Sequence, residues 1–286
     1  MWTKIFKAFI EGHYCIASAA MGTFWQTYFL LYPTTIKPTS TTMALSGLIF
    51  FMTLGIYNLH SIVGIRFLKK IPKNFSPRFA FIENYPAFFY SNLILSSLGS
   101  IFCLFFIPYY KFYTLVPALI LGIMYTFPIL GNWRLRDLSF LKVFLVGFVW
   151  AWITVYFPLV NQIEDYYKFC IPFIERFLFI FAITLPFDIR DIAIDQLEKV
   201  NTITHSLGKH YTIFISCFLL AIWSISASLY YDNIILLLGG IIIAFLVFRL
   251  LYIPIKENYF SIILDGSILV LAIIIVLLAY YSIIYK

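Results

Sequence analysis

Long apolar runs make up most of the chain and are separated by short stretches that contain charged residues or proline. A hydrocarbon core about 30 Å thick needs roughly 20 apolar residues per helix. The runs are continuous, as from Ile234 to Leu238, whereas β-barrel strands alternate apolar and polar positions. We therefore predict an all-α integral membrane protein with about nine transmembrane helices. The predicted spans are residues 13–31, 43–61, 86–107, 113–130, 141–160, 170–187, 211–230, 233–253 and 261–284.

The composition places the whole chain in the membrane. Hydrophobic residues form 62% of its 286 positions and charged residues 12%, against about 25% charged in soluble domains. No linker, low-complexity tract or soluble insert interrupts the pattern. We expect residues 1–286 to form a single polytopic membrane domain.

The net charge of +7 indicates topology rather than nucleic-acid binding. With a cytoplasmic N-terminus, most lysines and arginines lie on the cytoplasmic side, as the positive-inside rule requires. The opposite side then holds only Lys37, Lys111, Lys168, Arg176 and Lys286. We expect a multi-pass protein of a bacterial inner membrane with its N-terminus in the cytoplasm. Two long connections, residues 62–85 and 188–210, would face that same side.

Acidic residues concentrate in the second of these connections. Four of the 13 acidic residues fall between Asp188 and Glu198. In a helix, Asp188, Asp191 and Asp195 would share one face, since positions i, i+3 and i+7 lie close together. Like charges at that spacing, near the hydrocarbon boundary, are destabilising. Something must therefore offset them.

Two explanations follow from the residues. Basic neighbours such as Arg190 and Lys199 could neutralise the aspartates, or a hard cation could bind to them. Magnesium held by one or two carboxylates completes its shell with water and phosphate oxygens, which indicates a diphosphate substrate. A solvated loop whose charges serve topology remains the alternative.

This segment resembles the second aspartate motif of the UbiA-type intramembrane prenyltransferases, D-x-x-D-x-x-x-D followed by a basic residue, Thr and Gly. The matching residues are Asp188, Arg190, Asp191, Asp195, Lys199, Thr202 and Gly208. A second resemblance is the segment Tyr125-Thr-Phe-Pro128, followed by Arg134 and Arg136. The number of spans and the two long connections also agree with that family.

The chain departs from the family at the first motif, N-D-x-x-D-x-x-x-D, which should end the second span. Asn58 is retained, but Leu59, Ile62 and Arg66 occupy the carboxylate positions. Arg66 could contact a diphosphate directly, because guanidinium groups bind phosphate oxygens with paired hydrogen bonds. The other interpretation of Arg66 is an ordinary inside-positive charge.

The resemblance implies a helical bundle around a central cavity, with Mg²⁺ as cofactor. It implies transfer of a prenyl group from an isoprenyl diphosphate to an aromatic or other lipophilic acceptor, among membrane lipids and without nucleic acid. Asp188, Asp191 and Asp195 would bind the metal, and Asp191 and Asp195 would be catalytic. The implied substrate-binding residues are Asn58, Arg66, Tyr125, Arg134, Arg190 and Lys199.

Two other functions stay open. The loss of the first-motif carboxylates would suit a non-catalytic membrane scaffold or accessory subunit that keeps the fold. A small transporter or lipid-handling protein is less favoured, because the middles of the predicted spans carry almost no charged residues, whereas transporters often place charges near the bilayer midplane.

Overall fold

A computed structural model describes residues 2–32, 38–67, 77–128, 134–138, 140–160, 166–197, 200–253 and 257–284. These residues are almost entirely helical, and none of them forms a strand, so the all-α prediction is confirmed. The helices are α1 (Trp2–Glu11), α2 (Tyr14–Leu31), α3 (Ser40–Phe67), α4 (Pro77–Asn84), α5 (Pro86–Leu104), α6 (Phe112–Thr126), α7 (Leu141–Ala151), α8 (Phe157–Leu159), α9 (Tyr166–Leu197), α10 (Ile203–Tyr231), α11 (Ile234–Arg249) and α12 (Glu257–Ile284).

Six helical segments are long and apolar enough to cross a membrane: Ser40–Ile65, Pro86–Leu104, Leu141–Leu159, Phe169–Gln196, Ile203–Tyr231 and Tyr259–Ser282. The third of them joins α7 to α8 through a π-helical turn, Trp152–Tyr156. The other three predicted spans coincide with α2, α6 and α11, which have 18, 15 and 16 residues. An integral membrane protein is thus supported, while the count of nine spans stays a prediction.

The helices pack against one another around a central space. α3 packs on α5, α2 on α12, and α9 lies between α7 and α10. Small residues allow close approach, as is common between membrane helices. A Cβ on Gly55 would come within 2.8 Å of the Ser96 hydroxyl, and one on Gly240 would collide with Ser224.

The two predicted cytoplasmic connections are more helical than the sequence indicated. α3 continues to Phe67, and α4 lies within residues 62–85. α9 continues to Leu197, so all three aspartates of the acidic motif belong to one helix. The helix continues because α7 packs against this part of it and covers the acidic face. α10 bends at Gly208, whose φ of 82° favours glycine.

Candidate functional site

A cavity of about 680 Å³ lies between the helices and has two chemically different parts. Its inner wall is apolar, with Ile56, Leu119, Val149 and Ile183 among the lining residues. Basic side chains line its other part, at the end of the bundle where α9 carries its aspartates, and the acidic residues Glu11, Asp191 and Asp265 also line the cavity. These basic residues are Arg78, Arg134, Arg136, Lys142 and Arg190. A space of this size is typical of small-molecule sites.

The acidic face of α9 converges on one ammonium group. Lys142 Nζ lies 3.0 Å from Asp188 Oδ1, 3.2 Å from Asp195 Oδ2 and 3.6 Å from Asp191 Oδ2. Asp188, Asp195 and Lys142 are buried. The predicted sharing of one helix face by the three aspartates is therefore observed, and a lysine from another helix lies against it.

Two arginines complete the cluster. Arg190 binds Asp191 through two contacts, Nε to Oδ1 at 2.7 Å and Nη2 to Oδ2 at 3.1 Å. Arg136 Nη2 lies 3.9 Å from Asp195 Oδ1. Three carboxylates thus face three cations, Lys142 included, and their formal charges balance. Two ways of neutralising the aspartates were considered, basic side chains and a bound cation. The described residues show neutralisation by basic side chains.

The backbone before α7 places Lys142 at this position. Phe140 has a left-handed conformation with φ of 64°, which is strained for a bulky residue. Its N–H donates to the carbonyl of Asn201 at 3.2 Å, just beyond the acidic end of α9. This bond ties the start of α7 to the segment after α9, so Lys142 enters the cluster from a fixed backbone.

The end of α3, where the family carries its first motif, has different chemistry. Asn58 is fully buried, and its amide donates to the carbonyls of Leu54 (2.8 Å) and Gly12 (3.2 Å). Asn92 donates to Asn58 Oδ1 at 3.3 Å. Asn58 is therefore used in contacts between helices, and it does not line the cavity.

His60 of α3 lies at the mouth of the cavity, on the side opposite α9. The mouth is the end lined by Arg78, Arg134, Arg136, Lys142 and Arg190. Arg136 Nη1 donates to His60 Nε2 at 2.7 Å. The rings of His60 and Tyr125 lie 5.6 Å apart, and the Arg136 guanidinium sits 5.9 Å from the Tyr125 ring centre. Arg136 consequently bridges α3 to Asp195 of α9.

The remaining predicted site residues divide between those that the structure places and those that it does not. Tyr125 and Arg134 line the cavity, and Arg134 is paired with Asp137, Nη2 to Oδ1, at 2.8 Å. The Arg66 side chain and Lys199 lie outside the described residues. Their predicted role in binding substrate stays a prediction.

Lys142 and Arg78 were not predicted as site residues; from the sequence their charges indicated only the cytoplasmic side of the membrane. Arg78 lines the cavity, and its Nη2 lies 3.4 Å from the Ser61 hydroxyl. The available signal was the position of Lys142 inside an apolar run, where a charge is expensive without a partner.

No protein-family model and no curated protein matches this sequence. Solved structures do match over nearly the full length. A UbiA homologue from Archaeoglobus fulgidus bound to GPP and Mg²⁺ has a TM-score of 0.67 at 10% identity, covering 96% of this chain and 99% of the other. The apo UbiA homologue from Aeropyrum pernix K1 gives 0.63 at 10% identity, with 92% and 97% covered. A digeranylgeranylglyceryl phosphate synthase gives 0.55 at 17% identity, with 98% and 97% covered.

This chain has the UbiA fold. The predicted resemblance is confirmed at the level of architecture. The UbiA fold also explains why the ends of α3 and α9 lie at one mouth, where the family's two motifs are expected.

The residues at this mouth can be tested against the Mg²⁺ that one of the UbiA homologues contains. Mg²⁺ needs oxygen ligands at about 2.0–2.1 Å in a near-octahedral arrangement. Here the point shared by the three carboxylates is taken by Lys142 Nζ, and Leu59 and Ile62 offer no oxygen. Among the described residues, no group of three or more His, Cys, Asp or Glu is arranged to hold a metal ion. The residues as arranged do not fit the expected Mg²⁺.

Proposed function

We propose that the cavity binds an isoprenyl diphosphate and that the protein transfers its prenyl group to an aromatic or other lipophilic acceptor. The observation that carries this proposal is the division of one cavity into a basic mouth and an apolar interior, in a fold that binds GPP in a homologue. We further propose, from the distribution of charge along the sequence, that the N-terminus and this mouth face the cytoplasm.

The mouth supplies donors suited to a diphosphate. Guanidinium groups bind phosphate oxygens with two parallel hydrogen bonds, and ammonium groups act as compact charges. Arg190 is preorganised for this task, because Asp191 holds its Nε and Nη2 while Phe187 supports its guanidinium at 4.7 Å from the ring centre. The side chains of Arg136 and Arg134 are likewise held, by His60 and by Asp137.

The apolar interior suits the prenyl chain. Its walls come from α3, α5, α6, α7 and α9, and a volume of about 680 Å³ accommodates a hydrocarbon chain of several isoprene units. Binding the chain there would place the diphosphate among the basic residues. The scissile C–O bond would then lie between the two parts of the cavity.

The reaction follows from this placement. The C–O bond breaks, and its electron pair leaves with the diphosphate, whose added charge is stabilised by the fixed cations of the mouth. The allylic cation that remains is shielded by aromatic faces, for which Tyr125 and Trp150 of the cavity wall are suited. The acceptor supplies an electron pair for the new bond and then loses a proton. In this proposal Asp191 and Asp195, predicted as catalytic, position Arg190 and Lys142.

The predicted Mg²⁺ does not enter this scheme, because the carboxylates that would hold it are paired with Lys142, Arg136 and Arg190. The same observation favours a second candidate, a non-catalytic scaffold that keeps the fold and binds lipid. Its further support is the absence of a carboxylate at Leu59 and Ile62 of α3.

Product formation tests the proposal against the scaffold. Purified full-length protein is incubated with geranyl or geranylgeranyl diphosphate and a panel of aromatic and glycerol-based acceptors, with diphosphate release and mass spectrometry of the lipids as readouts. We expect release and a prenylated product that Arg190→Gln reduces, whereas Lys209→Met should not. Lys209 is a suitable control because its Nζ contacts the carbonyl of Leu251, away from the cavity. Binding without release would favour the scaffold, and no binding of either diphosphate would contradict the proposed prenyl transfer.

A further inference from the structure

The charge centre of the acidic cluster is a side chain of the protein itself. Lys142 Nζ lies within 3.6 Å of a carboxylate oxygen from each of the three aspartates of α9. Three carboxylates converging on one point are the arrangement expected around a cation. Here the cation is covalently attached to α7.

Binding of a divalent ion at this position would be energetically unfavourable. To reach the same oxygens it must displace a buried ammonium and leave that charge without its three partners, which is costly. The cluster also offers no excess negative charge, since Arg136 and Arg190 balance the remaining carboxylate charge. An exchangeable ion thus has neither room nor electrostatic need at this site.

The end of α3 supplies no carboxylate to this cavity. Around the end of α3 the side chains that line the cavity are Tyr57, Leu59, His60 and Ser61, none of which carries a carboxylate. Arg136, bound to His60 Nε2 and lying near Asp195, fills the gap between the two sides with another fixed cation. Both sides of the mouth are therefore held together by cationic side chains.

We propose that Lys142 takes the place of a divalent metal, so that the acidic face of α9 binds no metal and the cavity binds diphosphate without Mg²⁺. The first part stands on the geometry of Lys142 alone, and the second part rests on the proposed function. Lys142 serves both, because it neutralises the aspartates and also lines the cavity.

Binding of Mn²⁺, a probe that mimics Mg²⁺, tests the first part without any substrate. Free Mn²⁺ is measured by electron paramagnetic resonance during titration of the detergent-solubilised full chain. We expect no stoichiometric binding to the wild type and one Mn²⁺ per chain for Lys142→Met, whose aspartates have lost their ammonium. The added change Asp191→Asn should abolish that gain, and Lys209→Met should bind none.

One Mn²⁺ per wild-type chain, lost in Asp191→Asn, would overturn the proposal. Should Lys142→Met fail to fold, Lys142→Gln provides a polar replacement, and the wild-type titration still decides the matter by itself. Lys142→Arg keeps a cation at this position and is expected to bind no Mn²⁺.

Binding of geranyl diphosphate tests the second part. Its dissociation constant for the wild type is compared in excess EDTA and in excess Mg²⁺, and we expect equal values. Binding that requires Mg²⁺ would overturn the inference and leave the proposed function intact. Absence of binding in both conditions would contradict the proposed function and, with it, the second part, while the Mn²⁺ titration would still decide whether Lys142 replaces the metal.

Discussion

The ends of α3 and α9 meet at one mouth but differ in how their polar groups are satisfied. The end of α9 carries three aspartates, two of them buried, and all are neutralised by Lys142, Arg136 and Arg190. The described side chains at the end of α3 include no carboxylate, and the buried amide of Asn58 donates to backbone carbonyls of its own helix and of the α1–α2 junction.

The difference shows that the end of α9 can keep its carboxylates although the end of α3 has none. Carboxylates on both ends would call for cations shared between the two helices. Because α3 has leucine and isoleucine at these positions, one lysine and two arginines are enough to neutralise the three aspartates of α9. The aspartates of α9 then become holders of basic side chains.

Loss of the Lys142 ammonium is expected to have the largest effect on the difference between the two helix ends. Lys142→Met leaves three carboxylates facing one another, and breaking a buried ion pair from one side costs about 3–5 kcal/mol. We expect a large fall in the midpoint of thermal unfolding in detergent, partly restored by millimolar MnCl₂ or MgCl₂. The restoration is expected because ion binding to the folded state adds stability.

The matched controls separate charge from packing. Lys209→Met removes a lysine that contacts one backbone carbonyl, and we expect a small change that no ion restores. The wild type should not be stabilised by either salt beyond the shift seen with an equal ionic strength of NaCl. Stabilisation of the wild type by Mn²⁺ alone would contradict the role of Lys142.

The fold and the acidic face of α9 were predictable from the sequence, because both depend on residues that are close together along the chain. Apolar runs and their breaks depend on neighbouring residues, and they gave the all-α membrane class. The common face of Asp188, Asp191 and Asp195 follows from helix periodicity alone. Such features need no knowledge of which helices touch.

The partner of that face was not predictable, because it comes from another helix. Lys142 lies 53 positions before Asp195, and only packing of α7 on α9 brings the two together. The sequence also suggested that Asn58 binds substrate, whereas the structure shows its amide engaged with Gly12, 46 positions away. Long-range pairing of polar groups is the information that periodicity lacks.

Asn58→Ala tests the structural role of the α3 end. It leaves the carbonyl of Gly12 with one donor fewer and removes the acceptor of Asn92, a loss of about 1–2 kcal/mol for polar contacts between membrane helices. We expect a lower unfolding midpoint and an unchanged affinity for geranyl diphosphate. Ser226→Ala, which removes a hydroxyl bonded within its own helix to Trp223, is the control. A loss of affinity with unchanged stability would instead place Asn58 in the binding site.

Asp191→Asn tests whether α9 acts through metal or through arginine. An asparagine keeps an oxygen for Arg190 but removes one negative charge from the mouth. We therefore expect the affinity for geranyl diphosphate to change by less than about tenfold, or about 1.4 kcal/mol, and to stay insensitive to EDTA. Asp232→Asn, at the remote end of α10, should have no effect. A larger loss seen only in Mg²⁺ would identify Asp191 as a metal ligand.

His60→Ala probes a hydrogen bond that connects the two ends of the mouth. It removes the acceptor of Arg136 Nη1, one of several contacts of that guanidinium, and a typical hydrogen bond contributes about 0.5–1.5 kcal/mol net. We expect geranyl diphosphate to bind severalfold more weakly, because Arg136 is no longer held between α3 and Asp195. His205→Ala, an exposed histidine at the start of α10, is the matched control and should leave affinity unchanged. Equal affinity in both variants would mean that Asp195 and the Tyr125 ring position Arg136 without help from α3, so that α9 and its neighbours alone would build the anion site.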